Sequence, residues 1–270
     1  MIKETVSQLS MAAKTKADLA KNNMAKYFIL AVMAGIYVGF GIILIFSIGA
    51  PLKAVGAPGL KALMGATFAV ALTLVIFAGS ELFTGNNMIM TIGSLTKNVS
   101  WMDTIRVWVV SYSGNLAGSL LLAFILLQTG LITKDPVKSF ILGAAAGKMN
   151  APMVQLFFRG ILCNMLVCLA IWMSTRAKED TAKLLLIFWC LFAFIGAGFE
   201  HSIANMTLLG MALFLPHDPS VISWAGFANN LIPVTLGNIV GGAIMIGAMY
   251  WYVSDDKKTR RAKNGISAIK

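Results

Sequence analysis

The chain has 270 residues, 58% of them hydrophobic and only 12% charged, with a formal net charge of +11. Soluble domains carry roughly 25% charged residues, so half of the usual charge is missing and no segment outside the apolar runs is able to build a core. The excess positive charge therefore does not point to nucleic acid, and no nucleic-acid partner is expected.

The first element predicted lies within residues 1–26. Val6, Leu9, Ala13, Ala17 and Ala20 recur at helical spacing, with Lys14, Lys16 and Lys21 on other faces. This predicts an amphipathic helix lying on the cytoplasmic membrane surface, with a gating lid as the alternative role. No apolar h-region marks a signal peptide in these residues.

Six uncharged runs follow, over 27–51, 63–80, 107–130, 161–174, 184–198 and 231–254. Each approaches or exceeds the roughly 20 residues that cross a bilayer. The predicted fold class is all-α, a channel domain of six transmembrane helices over 27–254. With the N-terminus inside, sixteen lysines and arginines fall on inner segments and five on outer loops. That bias places both termini in the cytoplasm of a cell-membrane protein, with 255–270 as a basic cytoplasmic tail. Cys163, Cys168 and Cys190 all fall inside spans and read as small buried hydrophobes.

The two halves resemble each other. GSELFTGN (79–86) aligns with GFEHSIAN (198–205), GNLAG (114–118) with GNIVG (237–241), and the Gly-Ile pair at Gly35 with that at Gly160. A three-span unit followed by its copy inverts the copy, so repeats of about 27–130 and 152–254 predict an inverted-topology transport protein. The second run, continued as one helix from Ala62 to Leu95, would measure about 51 Å at 1.5 Å per residue. Hydrocarbon is only about 30 Å thick. Both polar motifs are therefore predicted to break the second and fifth helices, where non-helical backbone needs protein or a cavity around it. Glu81 and Glu200, the acids embedded in apolar runs, sit at equivalent positions. They are expected to accept backbone hydrogen bonds at the breaks.

At these motifs the sequence resembles the formate–nitrite transporter family. The carriers are SELFTGN, GILCNMLVCLAIW, FEHSIANM and IPVTLGN, and the wording is most similar to the branch of nitrite and hydrosulfide channels. The resemblance implies an aquaporin-like fold, a homopentamer and one pore per protomer for small monovalent anions. It assigns pore or substrate roles to His201, Thr84, Asn164, Asn238 and Lys148, the last as an anion-attracting charge at the outer mouth. It assigns apolar constrictions to Phe68, Leu72, Leu82, Phe194 and Val167. No catalytic residue, metal or cofactor is implied.

The chemistry fits such anions. Formate, nitrite or hydrosulfide entering hydrocarbon must find new partners or lose its charge. His201, the one histidine inside a span, titrates near neutrality and is expected to offer the anion a hydrogen bond or a proton between the constrictions. Two other readings compete: a neutral-solute pore for water or glycerol, and a membrane-embedded enzyme built on Glu200, His201 and Cys190. These residues read nitrite, formate and hydrosulfide alike, and channel and proton symporter alike.

Overall fold

The computed structural model describes residues 2–254, and the basic tail expected over 255–270 lies outside them. The described residues are helical throughout, apart from short connections. The first half runs α1 (Ile2–Asn22), α2 (Met24–Ala54), α3 (Leu60–Phe68), α4 (Val70–Phe77), α5 (Phe83–Leu95) and α6 (Trp101–Gln128). The second half runs α7 (Val137–Met149), α8 (Met153–Arg176), α9 (Asp180–Ala197), α10 (Ser202–Phe214) and α11 (Trp224–Ile239). The last helix continues as a π-helical stretch over Val240–Ala248 and ends in α12 (Met249–Ser254).

Six helical stretches are long and apolar enough to cross a membrane: Met24–Ala54, Leu60–Phe77, Trp101–Gln128, Met153–Arg176, Asp180–Ala197 and Trp224–Ser254. They match the six runs of the sequence, three of which extend one to three residues past the C-terminal end of their span, and the second and fifth spans end before their polar motifs. α3 and α4 form one span because Ala69 between them keeps right-handed helical geometry. Helix starts follow local chemistry. The Asn23 side chain accepts from Lys26 N–H at the start of α2, Ser100 and Asp103 form a capping box on α6, and Ser223 caps α11.

Close packing is bought by glycine at two helix crossings. A Cβ added to Gly118 would lie 2.0 Å from the Val32 carbonyl oxygen, so α6 touches α2 backbone to backbone. A Cβ on Gly237 would lie 2.1 Å from the Phe157 oxygen, and one on Gly241 2.3 Å from the Ile161 oxygen. The last span meets α8 in the same way. Small residues at such crossings bring helices together where lipid supplies no hydrophobic drive.

Two parts of the fold differ from the sequence reading. The apolar stripe of α1 faces protein rather than lipid: Val6, Leu9, Ala13, Ala17 and Ala20 are buried in one cluster with Met88, Met90 and Ile92 of α5. A Cβ on Gly93 would lie 2.4 Å from that of Ala13, which shows how closely the two helices approach. The second difference is α7, a helix where the sequence reading had only an outer loop.

Gly118→Ala must separate α2 from α6, an overpacking that costs about 1–3 kcal/mol. The purified variant is expected to unfold several degrees earlier than wild type in detergent. Gly143→Ala, whose added Cβ meets nothing within 4 Å, serves as the matched control and should leave thermal unfolding unchanged or raise it slightly, since alanine favours a helix interior over glycine.

Candidate permeation site

The chain leaves helical geometry between α4 and α5 and again between α9 and α10. Each departure begins at a glycine with φ +77°, Gly79 in the first and Gly198 in the second. A side chain is strained in that conformation, which explains why glycine holds both places.

Each break orphans backbone groups in a buried setting, and one asparagine answers each. Phe83 N–H donates to Asn115 Oδ1 at 2.9 Å, while Asn115 Nδ2 donates to the carbonyls of Ala31 (2.7 Å) and Glu81 (2.9 Å). In the other half Ser202 N–H donates to Asn238 Oδ1 at 2.9 Å, and Asn238 Nδ2 donates to the carbonyls of Gly160 (2.8 Å) and Glu200 (3.0 Å). An amide offers two donors and an acceptor together, which is what a broken helix lacks. Glu81 N–H then bonds the Leu30 oxygen and Glu200 N–H the Arg159 oxygen. The bonds pair Ala31 with Gly160, so the correspondence drawn at Gly35 is corrected to Ala31.

The two carboxylates differ from expectation. They are held by side chains. Lys16 Nζ donates to both oxygens of Glu81 at 2.7 Å, joined by Tyr27 OH (2.8 Å) and Asn86 Nδ2 (3.0 Å). Lys148 Nζ donates to both oxygens of Glu200 at 2.7 Å, joined by Asn205 Nδ2 (2.6 Å). Asn205 Nδ2 also reaches Asn230 Oδ1, whose own amide holds the Lys148 carbonyl. Lys16 stands on α1 and Lys148 on α7, so these two short helices do the same work in the two halves. Lys148, expected to present its charge to the outer mouth, spends it on Glu200.

Both breaks open on one narrow space. Phe68, Leu72, Leu82, Val167, Phe194 and His201 line a cavity of about 10 Å³, with Val38, Ala71 and Leu191 completing the wall. That is room for about one water. The rings of Phe68 and Phe194 meet edge to face with centroids 5.7 Å apart, and Phe194 stacks on His201 at 6.0 Å. Leu82 and His201 are the residues immediately before α5 and α10, so both helices begin at this cavity. A larger cavity of about 320 Å³ adjoins it, sharing Phe194 and His201 and including Lys148, Lys53 and Lys61 in its wall.

His201 is held at both ring nitrogens. Ala204 N–H donates to Nδ1 at 3.2 Å, which caps α10, and Nε2 lies 3.1 Å from Thr84 Oγ1. An accepting Nδ1 puts the neutral ring's proton on Nε2, so His201 donates to the Thr84 hydroxyl. Thr84 lines neither cavity and reaches the passage through His201.

The structure gives the remaining two asparagines a role other than substrate donor. Both amide hydrogens of Asn238 are spent on carbonyls at the second break. Asn164 Nδ2 lies within reach of the Thr84 carbonyl (3.1 Å), Asn87 Oδ1 (3.1 Å) and the Asn238 carbonyl (2.6 Å). It ties the first break to the last span. A Cβ on Gly242 would lie 2.5 Å from that same nitrogen, so the π-helical stretch is pressed against it. Sequence reasoning missed Asn115, Lys16, Tyr27, Asn86, Asn205 and Asn230. The match of GNLAG with GNIVG already set Asn115 opposite Asn238. The three cysteines are free and buried. Among the described residues no three His, Cys, Asp or Glu side chains gather as metal ligands.

Fold and site together define a six-span membrane protein in which two short helices begin, from opposite halves of the chain, at one apolar passage. The sequence model of the formate/nitrite transporter family matches residues 3–252, and the chain belongs to that family and is a transporter. It is 44% identical over 255 residues to the nitrite transporter NirC of Salmonella typhimurium, covering 94% of this chain and 93% of that protein. A solved FNT family ion channel superposes with a TM-score of 0.88 at 43% identity, covering 93% of this chain and 98% of the other. A pentameric formate channel with formate bound superposes with a TM-score of 0.74 at 33% identity, covering 87% and 98%.

Asn115→Ala and Asn238→Ala each remove three buried hydrogen bonds, and each orphaned group costs about 1–3 kcal/mol. Both variants are expected to lose thermal stability by similar amounts, as read by unfolding of the purified protein. Unequal losses would mean that the two breaks are held differently.

Proposed function

We propose that the chain conducts small monovalent anions of weak acids, nitrite, formate and hydrosulfide, through the passage between Phe68, Leu72, Leu82, Val167 and Phe194. The observation that carries this reading is the start of α5 and α10, thirteen residues each, at one cavity. A helix N-terminus carries positive partial charge and unpaired N–H groups, so two of them facing one dry space favour an anion there.

An ion arriving from the larger cavity first meets His201 and Phe194. At His201 Nε2 it finds a donor, backed by the Thr84 hydroxyl, which acts through the ring. The Nε2–H keeps the direction that the ring sets and is shared between Thr84 and the ion. His201 serves as a fixed hydrogen-bond donor in this account, because its Nδ1 is engaged by Ala204 N–H. The narrow apolar wall excludes hydrated ions and opens by side-chain movement when a dehydrated or protonated substrate passes. Two inverted repeats, α1 to α6 and α7 to the last span, put the breaks at mid-membrane with both termini in the cytoplasm, as the lysine and arginine bias supports. The likeness to a pentameric formate channel supports a homopentamer with one pore per protomer.

His201→Asn keeps a donor of similar reach and removes the titratable ring. Liposome uptake of nitrite and formate across the neutral range is expected to fall in amplitude and keep the wild-type pH profile, which follows the substrate's own protonation. A flattened profile in the variant would make the ring a proton source and overturn the fixed-donor account. Phe194→Ala removes a wall shared by both cavities and is expected to admit larger carboxylates such as acetate in the same assay. Wild-type selectivity in a folded variant would place the passage elsewhere.

A further inference from the structure

Lys148 is the lysine that the family resemblance offers as the outer-mouth attractor, yet a carboxylate pair at 2.7 Å neutralises it. Two other lysines line the same 320 Å³ cavity, Lys53 and Lys61, and no carboxylate lines it with them. Neither makes a salt bridge among the described residues. We infer that Lys53 and Lys61, not Lys148, supply the uncompensated charge that gathers anions at the outer mouth. This rests on the reading of the chain as an anion pathway.

Position and chemistry support the pair. Lys53 stands in the last turn of α2, and Lys61 is the second residue of α3, on either side of the connection that carries Val55, which is 77% exposed. Both lysines are exposed while the cavity narrows to buried His201 and Phe194. Positive charge thus sits at the rim and the donors at the floor. Ile42, Ile45, Phe46, Leu60 and Met64 make the wall between them largely apolar. A charged rim above low-dielectric walls focuses the field into the cleft and raises the local concentration of ions of opposite sign. Helix stability does not account for Lys61, since a cation in the first turn opposes the helix dipole. Lys53 alone would be explained as a cation at a helix C-terminus. The second lysine, placed against its dipole and facing the same cavity, is what a collecting rim requires.

The test uses full-length protein in right-side-out and inverted membrane vesicles from a host without transporters for these anions. Nitrite and formate uptake is measured in wild type, Lys53→Gln/Lys61→Gln and Lys53→Arg/Lys61→Arg. Steering acts over a screening length of roughly 30 Å at 0.01 M ionic strength and about 8 Å at 0.15 M. Initial uptake by the glutamine variant is expected to fall about three- to tenfold in right-side-out vesicles at low ionic strength. With the vesicle lumen held at about 0.15 M ionic strength throughout, the deficit should shrink when the outer medium is also raised to high ionic strength, be absent in inverted vesicles, whose lysines face the screened lumen, and be restored by the arginine variant. Wild-type uptake by the glutamine variant at low ionic strength overturns the proposal and leaves the anion pathway standing. A loss of equal size in both orientations assigns the lysines to assembly or lipid headgroups and likewise overturns it. Absence of nitrite and formate uptake in wild type overturns the pathway reading, and the proposal with it.

Discussion

An interrupted helix buried away from water must find partners for every backbone group that it frees, and the rest of this structure depends on how that is done. Asn115 and Asn238 each supply one acceptor and two donors to a break, and each binds the break to the first long span of its own half, α2 or α8. Leaving even one such group unpaired costs about 1–3 kcal/mol, comparable with a sizeable fraction of a protein's whole stability. The asparagines therefore fix where α5 and α10 begin. Their N-termini come to face each other across a passage too narrow for hydrated ions.

The charges follow from the same constraint. A carboxylate beside each break is buried, and a buried charge persists only when paired and hydrogen-bonded. The first half brings Lys16 from α1 and the second brings Lys148 from α7. Docking of α1 against α5 is thereby tied to the pore, since the helix that carries Lys16 also buries its apolar stripe there. Both lysines are largely consumed in this role. The electrostatics felt by an approaching ion are then set by groups that carry no structural duty, and the half-helix ends act at close range.

The spans were legible from composition because a bilayer demands about 20 apolar residues for each crossing. The breaks were legible because both runs were too long for one crossing and carried matching Gly, Glu and Asn. What the sequence hid was partnership. Asn238 and Asn164 read as donors for a substrate, since a polar residue within a span looks the same whether it serves backbone or ligand; geometry assigns their amides to carbonyls. Lys16 sat among surface lysines at helical spacing, and only the fold turns it toward Glu81. α7, at thirteen residues too short to cross a bilayer, left its helical stripe of Val137, Phe140, Ile141, Ala144 and Ala145 unread within a connection. The π-helical stretch is carried by glycines at Gly241, Gly242 and Gly247 whose role is contact with α8 and α5, which a one-dimensional pattern does not display.

The claim that the anion is handled between the two breaks is tested most directly by a structure determined in lipid with formate or nitrite at saturating concentration. The account predicts the anion within hydrogen-bonding distance of His201 Nε2, beside the N-termini of α5 and α10. Asn115 and Asn238 should keep their bonds to the backbone. An anion held instead by the Asn164 or Asn238 amide, with the carbonyls of the breaks released, would contradict it.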